Sequence, residues 1–537
     1  MSSKLIRGTF ILTLGTILSK VLGLFYVIPF YAIIGGSSHM ALYNFGYVPY
    51  TIFISIATAG VPLAVSKYIA KYNALGEYAV GRKLFKSGMV VMFATGILSF
   101  ALMYGLAPLF AKISLNGVDD YSIDEVATVI RAVSFALIII PIMSLIRGFF
   151  QGHQSMGPSA VSTVVEQIAR IVFLLAGAFI VLYVLNGTIV TAMSVATFAA
   201  FIGGIASLIV LLWYWKKRKP GLDELLQHNK GTLDVSLPSM YKEIIMYAFP
   251  FILVGIANPL YQFIDQTTFT KAMALVGNSA RALDELGILN VTTHKLVIIP
   301  VSLATAFALT IVPLVTESFV NGERRVMFRQ LDQTLQILLF ITLPAALGLA
   351  ILADPFYTVF YEHDIRGAEI LKTYAPVAIL FALFSVTAAI LQGINEQRYT
   401  ILSLLCGILT KLALNIPFIK AFGTEGAVYA TALGYGISIV INLFVIKMFA
   451  QYPFKIVFRR SLLIVIFNLM MIIPVYFVYK GLDSVMNIES KFQSLLIIAI
   501  CAAIGGLIYG YLSLKSGLAD RLFGERLGKL KRKLRLG

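Results

Sequence analysis

Charge is scarce in this sequence: Asp, Glu, Lys and Arg make up 13% of its 537 residues, about half the usual share of a globular chain. Cysteine is nearly absent. Cys406 and Cys501 both lie in apolar runs, with neither metal-ligand spacing nor the pattern of a disulfide framework. Several catalytic signatures are missing too. No G-x-x-x-x-G-K-[ST] occurs, and Gly528-Lys529 is followed by Leu530, so the chain has no P-loop to hydrolyse ATP. No H-E-x-x-H, nucleophile elbow or Cys/His cluster is present, so zinc and serine-hydrolase chemistry lose their usual carriers. No cofactor and no metal are expected.

What is abundant is apolar. Hydrophobic residues form 59% of the chain, more than a soluble domain can hide and what a bilayer accommodates. About 20 apolar residues cross the hydrocarbon core, and that criterion places spans near 8–34, 43–66, 87–113, 127–150, 158–185 and 189–214. After a polar break come 243–270, 287–317, 331–353, 370–391, 399–420 and 426–450, then 461–479 and 492–513. Such runs must be helical, because unpaired backbone groups in lipid cost several kcal/mol each. The expected class is therefore an all-α polytopic membrane protein of about fourteen helices. The first span is too long for a signal-peptide core and lacks a small-residue cleavage site, so it reads as retained.

The net charge of +17 is expected to set topology, not to bind nucleic acid, since Lys and Arg gather in cytoplasmic loops. With a cytoplasmic N-terminus, the inner loops hold Lys67, Lys71, Arg82, Lys83 and Lys86, then Lys216 to Lys219. Arg324, Arg325 and Arg329 follow, then Lys447, Lys455, Arg459 and Arg460. The outer loops are short, or acidic at Asp119, Asp120, Asp124 and Glu125. The alternation holds to the end, which places both termini in the cytoplasm of a multi-pass plasma-membrane protein. Leu518 to Leu536 spaces leucines helically among seven Lys and Arg residues, a basic amphipathic tail suited to anionic inner-leaflet lipids or serving only as a topogenic end.

The chain also resembles itself. An offset of 241 residues carries Gln151 onto Gln392 and Arg170 onto Lys411, and "AGVPLAVS" at Ala59 matches "TIVPLVTE" at Thr310. These matches pair spans 2, 4 and 5 with spans 8, 10 and 11, in order. Six helices duplicated with two added account for this, and parallel repeats are a known transporter plan. The expected organisation is a first lobe over 1–215, a cytoplasmic linker over 216–242 and a second lobe over 243–452. Helices 13 and 14 occupy 453–515, and the tail 516–537.

Ionisable residues within spans are expensive and usually face a cavity. The candidates are Lys20, Glu166, Arg170, Asp265, His294, Lys295 and Lys411. Most are cationic, which suits an anionic substrate such as a phosphate or pyrophosphate. Lys20, Arg170, Lys295 and Lys411 are the candidate headgroup ligands. Glu166, Asp265, His294, Asn258 and Asn415 are candidate supporting or coupling groups. Each has a plainer alternative. Glu166 and Arg170, at i and i+4, are placed to neutralise each other. Lys20 can snorkel, His294 and Lys295 lie near the outer boundary, and Asp265 is placed to pair with Lys295 or to hold a proton or cation. The run "GIANPLYQFID" from Gly255 sets Asn258 and Pro259 two turns before Asp265, which predicts a bent helix.

The segments "ILSKVLGLFYVIPFYAIIGG", "AGVPLAVSKYIAKY" and "HKLVIIPVSLATAFALTIVPLVTES" resemble the MOP superfamily of polysaccharide and lipid-linked-oligosaccharide exporters. Within it the resemblance is to the lipid II flippase (MurJ) branch in its Gram-positive YtgP/SpoVB-like form, over essentially the whole chain. It implies two lobes around a cationic central cavity and 6 + 6 + 2 helices, with the last pair offering a groove for the lipid tail. It also implies outward flipping of undecaprenyl-pyrophosphate-linked peptidoglycan precursor. The family's basic residue in "S-[RK]-V-L-G" falls on Lys20 and the one before the helix 8 proline on Lys295. Two further family arginines do not carry over: Tyr26 and Phe53 stand there, with Arg170 and Lys411 available to supply the charge. A sodium site of the kind some members hold would meet Lys411 and Asn415 on helix 11, with Asp265 and Asn258 on helix 7 as its remaining candidate ligands.

The function expected is thus a lipid II flippase working by alternating access, driven by the membrane potential or a coupling cation. It would act as a monomer, with the cell-wall synthesis machinery as a candidate partner. Alternatives are a flippase for another lipid-linked glycan, a multidrug exporter of the same superfamily, a non-transporting scaffold, or a membrane-embedded glycan polymerase. The polymerase would need an acid at the outer face, where only the Asp119 to Glu125 cluster qualifies.

Overall fold

The computed structural model describes the backbone of residues 3–58, 60–116, 120–233 and 235–523, and their side chains except at 3–11, 13, 63, 250, 303–313 and 523. In order, the helices are α1 (Ser3–Phe25), α2 (Val27–Ile34), α3 (Ser37–Thr58), α4 (Val61–Leu75), α5 (Tyr78–Gly105), α6 (Ala107–Ser114) and α7 (Ile123–Ser134). There follow α8 (Ala136–Gly152), α9 (Met156–Phe179), α10 (Ile189–Gln227), α11 (Leu237–Leu275), α12 (Ser279–Gly287), α13 (His294–Val320), α14 (Arg324–Ile351) and α15 (Ala353–Phe360). The last are α16 (Ile365–Tyr374), α17 (Val377–Gly393), α18 (Gln397–Phe422), α19 (Thr424–Ala450), α20 (Lys455–Asp483), α21 (Lys491–Lys515) and α22 (Leu518–Phe523). Short π-helical turns, Ile180–Val184 and Ile288–Thr293, close α9 and open α13. No strand occurs among the described residues.

The expected all-α membrane class is what the chain adopts. Among the described residues, twelve helical segments are long and apolar enough to cross a bilayer. A thirteenth arises if Leu237–Phe249 and Phe251–Leu275, bent by 45° at their junction, form one span. The expected span 287–317 includes residues 303–313, outside the described side chains. The basic tail lies outside the described residues beyond Phe523, where α22 ends.

The second span differs from its expected bounds of 43–66. Helix α3 stops at Thr58 and α4 starts at Val61, with Gly60 between them at φ +78°. A side chain resists that conformation, and the proline next to α4's first residue is pre-set to begin a helix. An apolar run does not register this reversal, because it leaves the hydropathy unbroken.

Backbone contacts divide the chain into two compact units, 1–287 and 288–537. In the first, α4, α5 and α8 share a core of Val65, Ile69, Leu84, Phe85, Leu145 and Phe149, and Trp215 of α10 stacks on Phe85 at 4.7 Å. Helix α11 belongs to this unit, with Gln266 donating to the Phe45 carbonyl (3.3 Å) and to Ser114 Oγ (2.8 Å). In the second unit α14 and α17 share a core that includes Leu331, Leu335, Ala382 and Val386. Helices α20 and α21 pack on each other and on α14 through Phe467, Met471, Ile497 and Ile337.

The polar segment after α10 is anchored to the first unit. The buried Glu77 carboxylate accepts from the Thr232 backbone N–H (2.8 Å) and hydroxyl. Lys230 N–H donates to the Gly76 carbonyl (3.0 Å), and Asn229 accepts from Ala79 N–H (2.9 Å). Arg82 pairs with Asp223 and lies over the Trp215 ring at 5.1 Å.

Candidate functional site

In the first unit the charged candidates gather around α9. Ser162, Glu166 and Arg170 recur every fourth residue and so share one helix face. Arg147 of α8 reaches that face. Its Nε donates to Ser162 Oγ at 3.0 Å, and one terminal nitrogen donates to Glu166 Oε2 at 2.6 Å and to Ser207 Oγ of α10 at 2.8 Å. Ser162 and Ser207 are fully buried. Helix α10 comes this close because Gly203 presents no side chain: a Cβ there would lie 2.8 Å from the Glu166 carbonyl and 3.0 Å from Arg170 Cβ. Glu166 is thus paired with Arg147, and not with Arg170 one turn further along.

Arg170 has tyrosines instead of carboxylates around it. One terminal nitrogen lies 3.3 Å from Tyr43 Oη, and the guanidinium stands over the Tyr47 ring at 5.1 Å. Tyr43 and Tyr47 stack at 5.3 Å, Tyr50 follows at 5.5 Å from Tyr47, and the Tyr26 side chain hydrogen-bonds to Tyr43. Tyr43, Tyr47 and Tyr50 come from consecutive turns of α3. Ring faces attract a cation without cancelling its charge. Among the described residues Arg170 forms no ion pair. Lys20 is solvent- or lipid-exposed on α1, between two close approaches to α9 where a Cβ at Gly15 would meet Ala160 at 3.0 Å and one at Gly23 would meet Gln167 at 3.1 Å. Lys20, Arg147, Glu166 and Arg170 thereby lie on contiguous helices. An apolar groove of about 570 Å³ lined by Val165, Ile168, Val172, Phe173 and Ile202 runs beside α9, and no charged residue lines it. Asn258 and Asp265 lie on α11 in this unit, half-buried and buried.

In the second unit Lys411 is fully buried between α18 and α19, donating to the Ala427 carbonyl and to Thr431 Oγ1, both at 2.8 Å. Asn415, one turn on, is equally buried. The Lys411 ammonium therefore holds two helices together. His294, also buried, shares a 2.8 Å hydrogen bond between Nδ1 and the Tyr374 hydroxyl, and Lys295 beside it is half-buried.

The acidic segment before α7 is occupied by helix capping. Ser122 Oγ accepts from Glu125 N–H at 3.2 Å, and Glu125 Oε2 accepts from Ser122 N–H at 2.8 Å, a reciprocal box that starts α7. Asp119 lies outside the described residues. Burial, with Asp120 and Glu125 adding to it, pushes the Tyr121 hydroxyl up to about 12. Among the described residues no three His, Cys, Asp or Glu side chains converge as metal ligands.

Sequence reasoning missed Arg147 and the tyrosines. Arg147 stands near the end of its apolar run and reads there as an interfacial charge. The spacing of Tyr43, Tyr47 and Tyr50 was visible as a helical stripe, but such a stripe is usually core.

Residues 5–319 match the model of the family described as polysaccharide biosynthesis protein. The chain is 48% identical to the lipid II flippase MurJ of Bacillus subtilis, over 98% of each protein. The chain belongs to this family, on the MurJ branch of the MOP superfamily. Stage V sporulation protein B of the same organism is 24% identical over 80% of this chain and 81% of its own length. Among solved structures, a lipid II flippase MurJ in an inward closed conformation matches with TM-score 0.65 at 17% identity, covering 95% of this chain and 99% of that one. An inward-facing MATE multidrug transporter of the MOP superfamily matches with TM-score 0.62 at 16% identity, covering 80% of this chain and 94% of that one. Family membership and the apolar helices make this a multi-pass plasma-membrane protein of a transporter family.

Proposed function

We propose that this chain is a flippase that carries lipid II, an undecaprenyl-pyrophosphate-linked peptidoglycan precursor, from the inner to the outer leaflet by alternating access. The relationship to a MurJ protein over nearly its full length supports the substrate. The observation that carries the mechanism is Arg170, a membrane-embedded guanidinium ringed by tyrosines and free of any ion pair among the described residues. A charge left uncompensated in the membrane is costly unless an anion visits it. Within the first unit Lys20 and Arg170 would meet the pyrophosphate; within the second, Lys295 is the candidate ligand and Lys411 braces α18 on α19. Asp265, Asn258, His294 and Asn415 would support or couple the cycle. The membrane potential or a cation gradient would drive it, since no P-loop is present. The termini would face the cytoplasm, where the basic tail meets anionic lipids and the wall-synthesis machinery is the candidate partner.

A flippase for a different lipid-linked glycan is the second reading, because the same cations would serve any polyprenyl pyrophosphate. A multidrug exporter fits less well, since its common substrates are cations. A polymerase fits poorly because Glu125, one of its few candidate acids, is engaged in a helix cap. The test is depletion of the protein in cells without a redundant flippase, followed by measurement of lipid II accessible at the outer leaflet. Accumulation on the inner leaflet supports the proposal. Undiminished outer exposure overturns it.

A further inference from the structure

We infer that Arg147 is a positioning residue that holds Glu166 away from Arg170 and so keeps the Arg170 charge available to an anionic substrate. The inference rests on the flippase reading for its substrate but not for its geometry.

Three observations combine. First, Glu166 lies one helical turn before Arg170 on the same face of α9, the spacing at which a carboxylate and a guanidinium on a helix normally pair. Second, the pairing is not made: Glu166 Oε2 is 2.6 Å from the Arg147 guanidinium, and Arg170 turns to Tyr43 at 3.3 Å and to the Tyr47 ring. Third, Arg147 is itself fixed in place. Ser162 and Ser207, both fully buried and on two different helices, accept from it at 3.0 and 2.8 Å. The close approach of α10 at Gly203 is what brings Ser207 within reach. An Arg fork bound to a carboxylate and two hydroxyls is the geometry that pre-organises a guanidinium. Ser162, Ser207, Glu166 and Arg147 thus form one hydrogen-bonded set, and Arg170 is left with ring faces and hydroxyls, which orient a cation without neutralising it.

Without Arg147, Glu166 has one cation within a helical turn, and that cation is Arg170. The site would then present a neutral pair to the incoming pyrophosphate. Arg147 acts on the substrate through Glu166 and does not need to touch it, and this separates it from Lys20 and Arg170.

The experiment uses the full-length protein in lipid nanodiscs with undecaprenyl pyrophosphate as the probe. Affinity is measured for the native protein, Arg147→Gln, Glu166→Gln and the double variant. Arg147→Gln is expected to weaken binding about tenfold, the effect of about 1.4 kcal/mol. The same substitution made in the Glu166→Gln background is expected to change affinity by less than about twofold. An equal loss in both backgrounds would mean that Arg147 contacts the headgroup directly, and no loss in either would mean that it is a packing residue; both overturn the inference. A second measurement needs no substrate. Thermal unfolding of a Glu166→Gln, Arg170→Gln cycle is expected to show no coupling in the native background and clear coupling when Arg147 is Gln. Absence of coupling in the Arg147→Gln background also overturns the inference. If the native protein fails to bind undecaprenyl pyrophosphate, the flippase reading fails, and the unfolding cycle still decides the role of Arg147.

Discussion

Arg170 and Lys411 align in the matched sequence segments, 241 residues apart, and their surroundings differ completely. The Lys411 ammonium is enclosed by a carbonyl and a hydroxyl at 2.8 Å, whereas Arg170 faces tyrosine rings and hydroxyls. Sequence showed that both were intramembrane cations. It did not show which was structural, because that depends on the neighbouring helix: Ala427 and Thr431 for one, the Tyr43, Tyr47 and Tyr50 stripe for the other. The same limit explains Arg147, whose partners Ser162, Glu166 and Ser207 come from two other helices. Outside the membrane, Glu77 is the residue with the clearest titration consequence. The Thr232 hydroxyl, together with the backbone N–H groups of Thr232, Gly231 and Leu233, holds its carboxyl below the usual carboxylate range against the opposing effect of burial. Its folded value lies below the unfolded one of about 4.3. The stabilisation is therefore fully present above that pH and is lost as pH falls through the lower folded value. Hydrogen exchange at residues 229–233 should be slow at pH 7, accelerate at the acid end, and in Glu77→Gln be fast at both. Slow exchange in the variant at pH 7 would show that the anchor does not depend on the carboxylate.

At the scale of elements, the apolar runs were legible and their interruptions were not. Hydropathy located the spans because lipid demands it, but the break between α3 and α4 depends on the left-handed backbone of Gly60 and on what lies against it. A Cβ at Gly60 would sit 2.9 Å from both the Ala248 carbonyl and Phe251 Cβ, beside the junction where Leu237–Phe249 and Phe251–Leu275 meet at 45°. The sequence predicts the bend in this helix near Asn258 and Pro259, and the structure places it about two turns earlier. Gly60→Ala combines a positive φ with a backbone clash. It should destabilise the protein by about 1–3 kcal/mol, read as a lower midpoint of thermal unfolding in detergent. An unchanged midpoint would mean that the α3–α4 junction relaxes freely. The α8–α9 turn and the α17–α18 turn each hold a residue of positive φ, Gln154 and Asn395.

Across the whole molecule, the expected topology rests on the alternation of basic and acidic loops. Helices α14 and α20 open with Arg324, Arg325, Lys455, Arg459 and Arg460, and α7 opens with Asp124 and Glu125. Cysteine introduced at Asp120 should react with an impermeant thiol reagent in intact cells, and cysteine at Arg324 only after lysis. The reverse pattern would invert the topology and the direction of transport. The functional reading rests on membership of the MurJ branch, with the tyrosine-lined Arg170 as the geometry proposed to serve it. Lys20, Arg170 and Lys295 were visible as charges out of place, while the tyrosine surround and the Arg147 lock appeared only in three dimensions. The central claim is that these cations carry an anionic lipid headgroup across the bilayer. It is tested most directly by reconstituting the protein in liposomes with lipid II and following its transfer between leaflets, for the native chain and for the combined variant Lys20→Ala, Arg170→Ala, Lys295→Ala. The account predicts rapid transfer with the native chain and a rate no faster than protein-free liposomes with the variant. Transfer by the variant at the native rate would contradict it.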